Sequence, residues 1–387
     1  MVVRCDVAVV GLGAMGAMSL WQLAERGVSV VGVERYDIAH PYGSSHGASR
    51  IYRSILFEGA EYVPIARRSL ELWRELERAA DAPLLTTTGG LSIGTDGGEL
   101  VADAVKSADA GEVAYELLDV DALRTRFPQH ATFDDDIGVY EREAGSVNPE
   151  LAIRAAVARA VDRGARVETG TVVSSIEFGT DRVVVACADN VIEARTVIVS
   201  AGPWFNDLVP ELALPLRNQR SILSWFSGGS GYGPDRFPTF VRESHDLQGW
   251  GIPDLDGSGV KIGISGQPKP WLDRPEDNRT PVTPGETQPI ESFCRMAFPG
   301  LLPRVVRAEP CINSKTPDGD FVVGTTARAP GAVLVGGFSG HGFKHAAGIG
   351  SIAADLAVEG ATDIPVDRFD PDRFDPVRLG GPEGAGA

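Results

Sequence analysis

Asp6-Val7-Ala8-Val9-Val10-Gly11-Leu12-Gly13-Ala14-Met15-Gly16 is the stretch whose reading decides the fold. Asp6 to Val10 is a short apolar run of strand type, and Gly11, Gly13 and Gly16 follow as G-x-G-x-x-G. Ala17 to Arg26 is rich in helix formers, and Gly27 is a natural stop. Val28 to Val33 is a second, β-branched strand, closed by Glu34. This is the order of a βαβ dinucleotide-binding unit, with the acid close to the expected ~20 residues after the first glycine. Each residue type has a physical job. Gly11 allows a tight turn, Gly13 lets backbone approach a pyrophosphate, and Gly16 lets helix pack close on strand. The helix N-terminus offers free N–H groups and a positive dipole end to that anion. Glu34 is placed to accept a hydrogen bond from a ribose hydroxyl.

The 387 residues allow two domains, and the 43% apolar content is that of an ordinary globular protein. A net charge of −17 disfavours nucleic acid and anionic membranes as partners. No run reaches the ~18 apolar residues of a membrane span. The chain enters its first strand at once, so the expectation is a cytoplasmic protein without a leader. Cys5, Cys187, Cys294 and Cys311 are scattered, which points to neither a zinc site nor a disulfide framework.

Beyond Glu34 a turn-rich stretch, Asp37 to Gly47, leads into Ser44-Ser45-His46-Gly47-Ala48-Ser49-Arg50-Ile51-Tyr52-Arg53. If helical, this segment puts Arg50 and Arg53 on one face, a pair suited to an anion. Helices are expected at Tyr62 to Ala80, Glu99 to Ala108, Asp119 to Phe127, Asn148 to Arg163, Ile290 to Phe298 and His345 to Glu359. Strands are expected at Leu84 to Gly94, Gly138 to Tyr140, Arg166 to Val172, Ser174 to Phe178, Arg182 to Ala188, Val197 to Gly202 and Phe321 to Gly324. The strand ending in Ser200-Ala201-Gly202 belongs at the carboxyl edge of a sheet, where ligands bind. Leu216 to Ile264 is aromatic-rich and strand-like, residues 266 to 289 read as a surface excursion, and the tail after Gly380 reads as disordered. A second glycine-rich junction, from Gly336 into the last helix, again aims N–H groups at a ligand. Its place near the C-terminus suits a long flavin dinucleotide lying across the sheet.

Together these pieces resemble the family of monomeric sarcosine oxidase and N-methyltryptophan oxidase, flavoprotein amine oxidases with covalently held FAD. The resemblance spans nearly the whole chain. It rests on Gly11 to Gly16, Ser45 to Arg53, Glu61-Tyr62-Val63-Pro64, Gly259-Val260-Lys261-Ile262-Gly263, Cys311-Ile312-Asn313-Ser314-Lys315-Thr316 and Gly337-Phe338-Ser339-Gly340-His341-Gly342-Phe343-Lys344. It implies an α/β, Rossmann-like FAD-binding domain, from segments 1–85, 145–218 and 305–380. Interleaved with it is an antiparallel-sheet substrate domain, from 86–144 and 219–304.

The resemblance also implies roles. Cys311 matches the cysteine whose sulfur bonds the flavin 8α-methyl carbon, which favours a lowered thiol pKa. Lys261 matches the lysine that activates oxygen, where fixed positive charge stabilises reduced oxygen. By strand alternation Lys261 and Gly263 share one face, while Val260, Ile262 and Ile264 share the apolar other, leaving Lys261 free to point at the flavin. Arg53 and Lys344 match the pair that binds the substrate carboxylate, and Arg50 an arginine on the flavin face. The implied cofactor contacts are Gly11, Gly13, Ala14, Met15, Gly16, Glu34, Arg35, Ser44, Ser45, Arg50, Val173, Ala201, Gly202, Trp204 and Cys311, then Gly337, Gly340, His341, Gly342, Phe343 and Lys344. No metal is implied.

Three positions depart from the family pattern: Asn313 replaces a tyrosine, Ser265 a histidine and Trp250 a tyrosine. All three lie near the substrate in the family, so the amine differs from sarcosine. The function expected is an FAD-dependent, monomeric oxidase of a secondary α-amino acid, using molecular oxygen and giving imine and hydrogen peroxide. One alternative is oxidation or desaturation of a cyclic imino acid by the same machinery. Others are a dehydrogenase that passes electrons to a partner, and a flavin carrier without turnover, which would need no oxygen-activating lysine.

Overall fold

Val7 and Val9 of the first strand, Val2–Val10, point to one side of a sheet and Ala8 and Val10 to the other, so the alternation feeds two separate cores. A computed structural model of the chain describes residues 1–375, and the tail after Gly380 lies outside the described residues. Val2–Val10 is central in an eight-stranded sheet, parallel to Val191–Val199 on one side and Val30–Val33 on the other. Arg166–Glu168 and Ala332–Gly336 extend it in parallel, while Val322–Thr325 and the hairpin Val173–Glu177/Val183–Cys187 add antiparallel strands. The helices Ala14–Glu25, Val63–Ala80, Pro149–Asp162 and Ala346–Glu359 cover one face, with Trp21 and Trp73 fully buried.

A second sheet has nine strands. It is antiparallel, as expected, except where Thr239–Ser244 runs parallel to Gly90–Thr95. Helix Pro284–Ala297 packs on one of its faces through Ile290, Phe293 and Cys294, against Phe226, Phe240, Val260 and Ile262. The strand Val305–Lys315 pairs with Arg217–Phe226 in this sheet, so the cofactor-domain segment expected from 305 opens with a strand of the second sheet. A three-stranded sheet, from Arg50–Tyr52, Gly145–Val147 and Leu85–Thr87, joins the two.

Several local expectations change. The segment 44–53 is not helical: Arg50–Tyr52 is a strand and Arg53 lies just beyond it, so no helix face pairs the two arginines, although both line the cavity described below. The expected strand Leu84 to Gly94 is two, broken where Gly89 takes φ 72°. The helix expected from Ile290 begins at Pro284, where Thr283 and Glu286 form a capping box. Pro284 reads as loop in a sequence, yet proline is well tolerated in a first helical turn. The excursion 266–289 holds the short helix Pro275–Arg279, whose Arg279 donates to Tyr36 Oη at 2.6 Å.

Candidate functional site

The first helix starts at Ala14, and its N-cap, Gly13, has no side chain to cap it. Gly16 faces the turn so closely that a Cβ there would lie 1.8 Å from the Gly11 carbonyl oxygen. At Gly13 a Cβ would meet only Ser45 Oγ, at 3.6 Å. The backbone here is therefore open to an approaching group, and the first-turn amides form an anion cradle. Glu34 is held in place by accepting from Leu12 N at 2.8 Å and Tyr36 N at 3.0 Å.

This cradle is one end of a cavity of about 910 Å³ that runs between the two sheets. Its wall includes Gly11, Gly13, Ala14, Met15, Glu34, Arg35, Ser44, Ser45, Arg50, Val173, Ala201, Gly202 and Trp204. The lining also includes Cys311, Gly337, Gly340, His341, Gly342, Phe343, Lys344, Arg53, Trp250, Asn313 and Ser265. Of the expected site residues, Gly16 and Lys261 are not on the wall. Gly16 serves the helix–strand contact instead.

The second sheet turns one face to this cavity, as its register shows. Trp225 and Ile252 are opposite Lys261, Trp250 is opposite Gly263 and Val241, Ser221 is opposite Cys311, and Gln219 is opposite Asn313. Partners across antiparallel strands share a face, as do residues two apart. Lys261 thus faces inward while Val260 and Ile262 enter the apolar core, as the alternation predicted. Its ammonium is not free, however. Lys261 Nζ donates to Gly47 O at 2.9 Å and Ser49 O at 2.8 Å, beneath the 44–50 loop. Burial, reinforced by Arg50, depresses its pKa strongly.

That loop is strapped from two directions. Glu150, in the first turn of Pro149–Asp162, accepts from Gly47 N at 2.6 Å and from Ala48 N at 3.1 Å. Lys261 takes the carbonyls. With the loop fixed, Arg50 donates to Ser49 O and Ser44 O and reaches Cys311 Sγ at 3.7 Å. His46 Nδ1 lies 3.6 Å from Glu309 Oε2. Burial opposes charge on His46, but the Cys311 sulfur and the Glu309 carboxylate outweigh it and raise its pKa to about 9. Burial likewise works against the Cys311 thiolate, and His46, Arg50 and Lys261 together bring the thiol down to about 7. Cys311 is the only one of the four cysteines with a lowered pKa; Cys5, Cys187 and Cys294 are all raised by burial.

Arg53 and Lys344 do converge, around an acid the sequence reading missed. Glu58 is bound by Arg53 Nη2 at 3.1 Å to each oxygen and by Lys344 Nζ at 2.7 Å. Burial disfavours its ionisation, but Arg53, Lys344 and His341 hold its pKa well below the usual carboxylate range. The three side chains carry one net positive charge, and Arg53 Nη1 is buried without a partner. A second anion is therefore electrostatically favoured here. Glu58 sits five residues after Arg53, a spacing that signals nothing in a sequence because neither lies in a helix. Lys269 and Lys315 were also missed: both line the cavity, and burial and mutual repulsion lower the pKa of Lys269. Asn313 packs on the second glycine turn, where a Cβ on Gly340 would lie 3.3 Å from its amide nitrogen.

The elongated cavity, the glycine cradle and the lowered thiol fit a flavin dinucleotide. Comparisons with known proteins agree. The family profile of FAD-dependent oxidoreductases matches residues 6–356. Monomeric sarcosine oxidase of Streptomyces avermitilis is 35% identical over 95% of this chain and 97% of its own. N-methyl-L-tryptophan oxidase of Escherichia coli is 31% identical over 96% of this chain and 100% of its own. Among solved structures, the open form of NikD, an amino acid oxidase of nikkomycin biosynthesis, superposes with a TM-score of 0.83 at 24% identity. That likeness covers 95% of this chain and 98% of NikD.

Proposed function

Since the chain belongs to the FAD-dependent oxidoreductases, in the family of monomeric sarcosine oxidase and N-methyltryptophan oxidase, we propose that it oxidises secondary α-amino acids with molecular oxygen. The products are an imine and hydrogen peroxide. The observation that carries this reading is the convergence of Arg53 and Lys344 on the cavity that also holds the dinucleotide cradle and Cys311.

FAD, when bound, supplies the acceptor for two electrons from the carbon beside the amine nitrogen. The Gly11–Gly16 turn and Glu34 would hold its adenosine and pyrophosphate end, and Cys311 would anchor the ring end covalently. Arg53 and Lys344 bind the substrate carboxylate through charge-assisted hydrogen bonds and so fix the orientation of the reacting carbon. Before the covalent bond forms, His46, Arg50 and Lys261 favour the Cys311 thiolate, and Arg50 donates to its sulfur. Lys261 supports the loop beneath Arg50, and when protonated it contributes positive potential that favours negative charge on oxygen. Trp250, Asn313 and Ser265 shape the amine pocket, whose chemistry differs from that of a sarcosine site. The first sheet forms the cofactor unit and the second the substrate unit of a monomeric cytoplasmic enzyme. No helix among the described residues is long and apolar enough to cross a membrane.

A panel of secondary amino acids, screened by flavin bleaching under nitrogen, tests the reading. Bleaching by N-methyl amino acids with release of formaldehyde supports N-demethylation. Bleaching by cyclic imino acids alone moves the assignment to ring oxidation. Bleaching by none of them overturns it.

A further inference from the structure

The sheet wall of the cavity carries an acid that nothing else in the described chain binds. Glu243 lies on Thr239–Ser244, two residues beyond Val241 and opposite Gln248, so it shares the face that presents Trp250. It lines the cavity and is exposed there. Of the other wall acids, Glu34 accepts from backbone amides and Glu58 binds Arg53 and Lys344, while Asp207, whose charge burial and Glu276 disfavour and Arg35 favours, lies after Trp204 and away from this sheet. The Glu243 carboxylate makes no hydrogen bond or ion pair among the described residues. Partial burial and the nearby Glu99 disfavour its charge, and only Arg53 favours it.

Trp250 beside it is set to receive a flat or cationic group. A Cβ at Gly263 would lie 2.4 Å from the indole ring carbons, so the ring rests against bare backbone on one side. It also packs against the cluster of Leu223, Trp225 and Cys311, and what remains of the ring lines the cavity. An aromatic face attracts a cation through its quadrupole, and a neighbouring carboxylate adds Coulomb attraction.

We propose that Glu243 and Trp250 form a subsite for a positively charged substrate side chain, so that the preferred substrates are secondary α-amino acids ending in an ammonium or guanidinium group. The proposal rests on the oxidase reading above. Charge is then complementary at both ends: the carboxylate meets Arg53 and Lys344, and the distal cation meets Glu243. The reversed orientation puts like charges together at both walls, so the same pair of sites also fixes which way round the substrate lies.

The test compares Nα-methyl-lysine with Nα-methyl-norleucine, nearly equal in shape and different in side-chain charge, on the flavin-loaded enzyme. The expected wild-type kcat/KM is at least fivefold higher for the lysine compound, and the ratio shrinks as salt is raised. Glu243→Gln lowers that ratio at least fivefold, while Glu243→Asp keeps its direction. A wild-type ratio at or below one, or an unchanged ratio in Glu243→Gln, overturns the subsite. If Nα-methyl-norleucine bleaches the flavin in that case, the oxidase reading survives. If neither compound nor any other secondary amino acid does, both fall together.

Discussion

Glu58 Oε1 lies 2.7 Å from Lys344 Nζ, inside the cavity, where the carboxylate of a substrate is expected to bind. Glu58 remains ionised because Arg53 and Lys344 outweigh its burial, so an incoming acid competes with a resident one. Glu58→Gln should therefore tighten binding of a simple carboxylate such as acetate, by about tenfold, equivalent to about 1.4 kcal/mol. The shift of the bound flavin spectrum at pH 6.5 reads this affinity. Weaker binding in the variant would show that Glu58 organises the cations rather than competing for them.

Lys344 gives the site a pH limit. Burial, with Arg53 adding to it, lowers its pKa to about 8 despite the support of Glu58. The ammonium is present below that pH and lost above it, so substrate KM should rise as pH passes 8. Lys344→Met should weaken carboxylate binding by ~1.5–3 kcal/mol, the range for hydrogen bonds to charged groups, and its KM should show no such rise. A wild-type KM that is flat from pH 7 to 9.5 would remove Lys344 from the carboxylate site.

The thiol environment predicts covalent attachment. Acid-precipitated protein should retain yellow colour, and Cys311→Ala should release it. In the apoprotein, Cys311 should react with iodoacetamide along a titration near pH 7, since neighbouring cations bring it to about 7. His46→Asn removes one of those cations, so the titration should move to higher pH. An unmoved titration would assign the lowering to Arg50 and Lys261 alone.

Lys261 has two separable effects. Removing its ammonium takes one donor from each of the Gly47 and Ser49 carbonyls, which keep Ser49 N and Arg50 Nη1 respectively, at a cost of about 0.5–1.5 kcal/mol per lost hydrogen bond. Lys261→Met should accordingly lower Tm and slow flavin reoxidation in stopped flow, while anaerobic reduction by substrate changes less. Because burial depresses the pKa of Lys261, its charge fades as pH rises, and wild-type reoxidation should slow with it. In Lys261→Met that pH dependence should vanish. Fast reoxidation together with collapsed reduction would make Lys261 a substrate residue.

The parts of this site that a sequence reveals are those built from local regularities. The strand–glycine–helix–strand order up to Glu34 is one such case, because each element declares itself within a dozen residues. The inward orientation of Lys261 is another, because strand alternation alone fixes it. Contacts between distant segments are not visible in this way. Arg50 and Arg53 invite a helical reading, and only pairing with Gly145–Val147 makes the segment extended. The engagement of Lys261 by Gly47 and Ser49, and of Arg53 and Lys344 by Glu58, depends on how loops 44–50 and 53–59 settle against the two sheets. Those loops have no periodicity to read. Pro284 and Pro289 likewise hide a helix that its capping box and apolar face stabilise.

The most direct test of the whole account is an anaerobic titration of the flavin-loaded protein with a secondary α-amino acid, followed by admission of air. The account predicts complete bleaching of the flavin band under nitrogen, its return with oxygen, and one equivalent of hydrogen peroxide per turnover. It also predicts that the decarboxylated amine bleaches the flavin poorly. Equal bleaching by acid and amine forms, or none by any secondary amino acid, would contradict it.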